Sequence, residues 1–258
     1  MKKTSRKLSN QQNSKIQIRL PDVFTFAFET NGKGYIGFIV ELPGAFIRGR
    51  TKAEAIAKAN REVDLYLKWL KIKPTRDHET KIVQIHESSL MVEDADNEIL
   101  LEADKTAMAA AEFKNLTELV IFSGASFVQL YTNCKFKDWL DKTRIRKTFY
   151  GDNPKTIREI YSHVQGCQHY YLSRMKLSVE TGEDFTSTRR ACLEKLEALY
   201  HDNNNELIFE MEKELWTLKK VLRRFVWHDR IHGKAITRIL EKQKQLGLID
   251  VYDNPFYF

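Results

Sequence analysis

The stretch 215–247, LWTLKKVLRRFVWHDRIHGKAITRILEKQKQLG, decides how the rest of the chain is read. Leu218, Val221, Leu222, Phe225, Ala235, Ile236, Ile239, Leu240 and Leu246 recur at intervals of three and four residues, the period of a helix with one buried stripe. His228 and His232 fall on that stripe, three residues after Phe225 and three before Ala235. Side chains four apart lie one helical turn above each other, so both imidazoles can reach one point in a protein interior. An H-x-x-x-H pair alone is a weak signal, because histidines are also buried as hydrogen-bonded core residues. A third ligand would turn the pair into a site.

Moving toward the N terminus, the helical period recurs three more times. Residues 106–134 place Leu116, Leu119, Phe122, Phe127 and Leu130 at helical spacing, with Asn115 or Thr117 as the start. Residues 154–176 read as a second helix with Asn153 as N-cap and Pro154 at the first helical position. A third runs from Thr186 to about Tyr200, capped by Thr186 or Ser187, and HDNNNE (201–206) breaks the pattern. Four amphipathic helices, one connection long, predict a four-helix bundle over residues 105–258.

Residues 16–104 follow the other period. KIQIRL, VFTFAFET and GYIGFIVEL are rich in β-branched and aromatic residues, and NGKG (31–34) supplies a hairpin turn. Thr51 with Glu54 forms a capping box for a helix running to about Lys71, which Pro74 stops. KIVQIHES and EILLEAD return to extended patterns around a polar break at Glu93–Asn97. The expected order is β-β-β-α-β, ending near residue 104, and the fold class is α+β.

Composition bounds the function classes. The chain has 258 residues, the length of one large or two ordinary domains, and its three cysteines (Cys134, Cys167, Cys192) form neither a disulfide framework nor a C-x-x-C motif. A reducing cytoplasm is the expected setting. The opening MKKTSRKLSNQQNSK is not followed by the apolar core of a signal peptide, and no apolar run is long enough to span a bilayer. Of the formal net charge of +7, five come from Lys2, Lys3, Arg6, Lys7 and Lys15, which leaves +2 for the rest. Residues 1–15 read as a disordered basic arm on a nearly neutral body, and nucleic-acid binding is not the expected main function.

Two resemblances attach to these residues. YIGFIVELPGAFIRGRTKAEAIAKANREVDLYL resembles the HicB-type antitoxin half-domain, with its strand, Leu-Pro-Gly turn, second strand, Gly-x-Thr helix start and Glu-Ala near the helix beginning. This implies a partial RNase H-like fold for residues 16–104. No DNA-binding tail of the kind such antitoxins carry is evident. REIYSHVQGCQHYYLSRM, followed by LKKVLRRFVWHDRIHGKAI, resembles the DinB family of four-helix proteins. In that family one His from the second helix and an H-x-x-x-H pair from a later helix bind a divalent metal. The resemblance implies His163, His228 and His232 as ligands, nickel or zinc as occupant, and a homodimer.

Three imidazoles leave a coordination sphere incomplete, as catalytic sites do. Around them, Cys167 offers a fourth ligand or a reactive thiol, against the commoner inert buried thiol. Asp229 and Glu159 could orient an imidazole, or be solvated helix carboxylates. Arg223, Arg224 and Arg230 could bind an anionic substrate group, or face water along their helix. Tyr171, Phe225 and Trp227 read as walls of the core or pocket, and His169 is rotated away from His163. Relatives with this bundle imply a metal-dependent thiol transferase or a hydrolase acting on a small molecule, including a low-molecular-weight thiol. The competing classes are a non-catalytic regulatory protein whose first domain binds a protein partner, and an antitoxin.

Overall fold

A computed structural model describes residues 16, 18, 20–73, 78–148 and 151–258, the side chain of Arg144 apart. The basic arm, much of the KIQIRL segment and Pro74 lie outside the described residues. The fold is mixed α+β. Strands β1 (Val23–Thr30), β2 (Tyr35–Ile39) and β3 (Phe46–Gly49) are followed by helices α1 (Lys52–Ile56) and α2 (Ala59–Trp69) and by β4 (Glu79–Glu87). They form one sheet of order β3-β2-β1-β4, in which β1 is antiparallel to β2 and parallel to β4. The helical crossover between β3 and β4 permits that parallel pairing.

The β-β-β-α-β order holds, with two changes in which segments supply it. The third strand before the helix is FIRG (46–49), while Ile16, Ile18 and Leu20 are in no strand and pack, half-buried, on the core. Residues 98–101 are extended without pairing and lead into a 3-10 turn, Glu102–Lys105. The helix expected over 51–71 is two helices, broken at Ala57–Lys58; neither residue is a helix breaker, so periodicity gives no sign of it. Its start is as expected, since Thr51 accepts from the Glu54 amide at 3.1 Å and Glu54 from the Arg50 amide at 2.9 Å.

Beyond residue 105 come four longer helices, α3 (Ala110–Thr132), α4 (Ile157–Ser173), α5 (Phe185–Asn203) and α6 (Leu218–Gln245). Two short hairpins intervene, β5–β6 (Lys147–Thr148, Gly151–Asp152) and β7–β8 (Phe209–Met211, Glu214–Trp216). Helix α6 packs on α3 and α4, and α5 packs on the same two. No helix among the described residues is long and apolar enough to cross a membrane.

Several helix starts differ from the sequence reading, and side-chain capping explains those of α4, α5 and α6. Thr156, not Asn153, caps α4, with Glu159 closing the capping box. Asp184 caps α5, accepting from Ser187. Helix α3 begins at Ala110, five residues before Asn115, with no side-chain cap. Leu215 and Trp216, expected in the long helix, belong to β8, and Thr217 caps α6.

Sheet and helices share apolar contacts. Phe24, Phe26 and Phe28 belong to the same buried cluster as Val63 and Leu67 of α2 and Phe225 and Ile236 of α6. On the other face of the sheet, Ala27, Ile36 and Phe38 pack with Val92, Ile99 and Trp227. Trp69 reaches α3, stacking near Phe122 at 5.2 Å and donating to Ser126 at 3.0 Å.

The Leu-Pro-Gly turn is where the two layers touch most closely. Gly44 has φ +84°, and a Cβ there would stand 2.5 Å from Val226 Cγ1 on α6. Tyr66 donates to the Pro43 carbonyl at 2.8 Å and holds the turn down. Gly44→Ala therefore meets both left-handed strain and overpacking, and is expected to cost about 2–3 kcal/mol, lowering the thermal midpoint by roughly 4–10 °C in a calorimetric scan.

Candidate metal centre

Helix α6 is read from its sequence as one-faced, yet every residue from Val221 to Arg230 is buried. It runs between the sheet, touched through Trp227 against Phe38 and Phe46 (both 6.3 Å), and the helices α3 and α4. A charge in that position must find an internal partner, because an unpaired buried ion costs several kcal/mol. Arg223 bonds Asp104 at 2.6 Å, Arg230 bonds Glu62 at 2.8 Å, and Arg189 of α5 holds Asp229 through two bonds of 3.0 Å. Arg224 bonds both the side chain and the backbone of Asn97 and pairs with Glu214 at 3.3 Å.

Within this helix His228 and His232 meet His163 from α4. Ring centroids are 4.4 Å apart for His228 and His232, 4.7 Å for His163 and His232, and 5.2 Å for His163 and His228. One nitrogen from each ring lies within 4.8 Å of the others, a spacing that suits a shared divalent ion. Burial, then His232 and His163, pushes the pKa of His228 well below its ordinary value, and burial lowers that of His163. Neutral imidazole is the form with a lone pair to give, so the donor chemistry fits a metal such as zinc or nickel.

The three rings stand at the wall of a cavity of about 430 Å³. Cys167, one turn along α4, lines the same cavity with its sulfur 3.7 Å from His163 Nε2; burial pushes the thiol up to about 11 and keeps it protonated. Tyr171 presents its ring edge to His228 at 5.5 Å. Trp227 and Arg224 line the cavity, whereas Phe225 belongs to the core behind it.

Other sequence candidates have different partners. Asp229 faces Arg189, and Glu159 accepts from the Lys155 and Thr156 amides at the exposed start of α4. Arg223 and Arg230 are neither solvated nor turned to the cavity, since Asp104 and Glu62 bind them in the interior. His169 is 3.1 Å from the Thr181 hydroxyl.

The sequence reading missed the opposite wall. Asp96, Asn97 and Glu98, from the segment after β4, and Glu212 and Glu214, from the β7–β8 hairpin, close the cavity over the histidines. The polar break at Glu93–Asn97 was the available sign, but nothing local links it to a helix more than a hundred residues later. A second cluster with ligand-type spacing, Glu29, His86 and Glu98, lies on the sheet side. Glu29 there is occupied in accepting the Glu98 and Ile99 amides, at 3.0 and 2.9 Å, which ties the cavity wall to β1.

Comparison with protein families, with curated proteins and with solved structures returns no match.

The Arg189–Asp229 pair carries a direct consequence. Asp229→Ala strands a buried guanidinium and is expected to lower stability by about 3–5 kcal/mol, measured by urea unfolding. Replacing both partners, Arg189→Met with Asp229→Leu, is expected to recover most of that loss, because no unpaired charge then stays inside.

Proposed function

We propose that the protein is a metal-dependent enzyme of the DinB type, in which His163, His228 and His232 hold a divalent ion, zinc or nickel, beside a substrate chamber. The observation that carries this reading is the meeting of three imidazoles from two helices at the wall of a cavity large enough for a small molecule. A divalent ion supplies Lewis acidity there, making a thiol or water nucleophilic near neutral pH. The residues around it set what can react. Tyr171 and Trp227 give the chamber aromatic walls beside the histidines. Trp227 and Arg224 line the chamber, and their Nε1 and Nε donors are buried with no hydrogen-bond partner among the described residues.

Asp96 lines the chamber and forms no salt bridge among the described residues; burial pushes its carboxyl up, toward the range in which it can take and return a proton. Cys167 lines the chamber one turn from His163, its sulfur 3.7 Å from the His163 Nε2. The reading is a thiol transferase or hydrolase on a bundle formed by α3–α6, with residues 16–104 as a HicB-like half-domain supplying one wall of the chamber.

A binding module is the second reading, favoured by one observation. Strand β4 is the sheet edge, and Val83 and Ile85 on it are half exposed, a surface that an extended peptide from a partner can pair with.

Metal content decides between them. Protein purified without an affinity tag is expected to carry about one divalent ion per chain by elemental analysis, and His228→Ala much less, since one of three ligands is gone. With cobalt(II) in place of the native ion, a small thiol is expected to change the visible spectrum by entering an open position. A cobalt spectrum indifferent to thiol would leave a structural metal and the binding reading.

A further inference from the structure

A second and larger concavity, of about 960 Å³, lies between β3, α2 and the C-terminal half of α6. Six cationic side chains line it, Arg48, Lys58, Arg61, Lys234, Arg238 and Lys242, against two carboxylates, Glu62 and Glu241. Two carboxylates cannot balance six cations, and one of the six, Lys234, already shares Glu62 with Arg230. Glu62 is buried and bound by Arg230 at 2.8 Å and Lys234 at 2.6 Å, and Glu241 accepts from the Tyr252 hydroxyl.

The remaining cations divide into two kinds. Lys58 pairs with Glu54 at 2.9 Å and Lys242 with Asp141 at 2.8 Å, outside the carboxylates of the cleft itself. Arg61 and Arg238 are exposed and form no ion pair among the described residues. The Arg48 side chain donates to the Glu93 carbonyl, with burial first, then Arg238 and Arg146, pulling it down to about 10. Like charges held together in a concave site create a potential that an anion relieves, and guanidinium forks match phosphate oxygens in pairs.

We propose that this cleft binds a small anion carrying a chain of phosphates, either a nucleotide or an inorganic polyphosphate. Size and shape favour a small molecule over a nucleic acid. The volume is that of a ligand pocket, and Phe46 and Phe258 wall it, each lying under the Lys234 ammonium at 4.3 and 4.9 Å. Outside residues 1–15 the chain carries only +2 of its formal net charge, too little for the long basic stripe that tracks a nucleic-acid backbone. Ile231 belongs to the walls of both cavities, so the anion would sit next to the histidine chamber without needing its metal.

Isothermal titration of the full chain, stripped of metal by a chelator, with inorganic triphosphate and separately with ATP tests the site. Saturable one-to-one binding is expected, weakening with salt. It should fall at least about tenfold in the double variant Arg61→Ala, Arg238→Ala, since two charge-assisted contacts are lost. The thermal midpoint of that variant should not move, because both residues are exposed and unpaired. ATP binding tighter than triphosphate assigns a nucleotide; equal affinity assigns the phosphate chain alone. His228→Ala should bind both probes like the wild type, so a failed metal centre and a failed anion site are told apart. Absence of saturable binding to either probe, an unchanged affinity in the double variant, or tighter binding of a single-stranded oligonucleotide through the same residues would overturn the proposal.

Discussion

Charge neutralisation around residues 221–230 of α6, a stretch buried on all sides, is the constraint from which the rest of this structure follows. Helix α6 carries Lys220, Arg223, Arg224, Asp229 and Arg230 into the interior, and each is met by a group from a different element. Asp104 comes from the turn before α3, Glu214 from the β7–β8 hairpin, Arg189 from α5 and Glu62 from α2. Hydrophobic contact would tolerate small slides of these elements over α6. Buried ion pairs do not, because their attraction must offset a desolvation penalty that geometry alone can repay. The pairs therefore hold α6 in register with the elements around it.

The candidate metal centre inherits that rigidity. His228 and His232 sit in the stretch of α6 whose neighbours are pinned, with Arg224 on one side held by Asn97 and Glu214, and Asp229 on the other held by Arg189. The same bonds build the chamber: Asn97 and Glu214 are at once partners of Arg224 and parts of the wall facing the histidines. Burial that obliges the arginines to pair also pushes down the pKa values of His228 and His163. Asp229 and Glu159 are engaged elsewhere, by Arg189 and by the first turn of α4.

Much of this was legible in the sequence, and what was not has a common cause. The helical stripe through Val221, Phe225 and Ile236, the hairpin at NGKG, the cap at Thr51 and the triad His163, His228 and His232 all express local periods or motif spacing. Helix starts at Thr156 and Asp184 were misplaced by a few residues, because several cap-forming side chains compete in each stretch and only tertiary packing chooses among them. The roles of Arg223, Arg230 and Asp229 were not readable at all. A charged residue on a helix looks solvated until it is known which elements cover it.

The amino-acid sequence by itself determined the alternation of strands and helices, the α+β class and the convergence of two histidines on one helical face, since these depend on interactions between residues a turn or a strand pair apart. Only the tertiary structure decided that residues 221–230 of α6 are enclosed on every side, that residues 94–98 and the β7–β8 hairpin complete the chamber, and that a cationic cleft opens beside it. Those features arise between residues separated by a hundred positions or more. Long-range contact energies choose such pairings, and no periodicity along the chain records them.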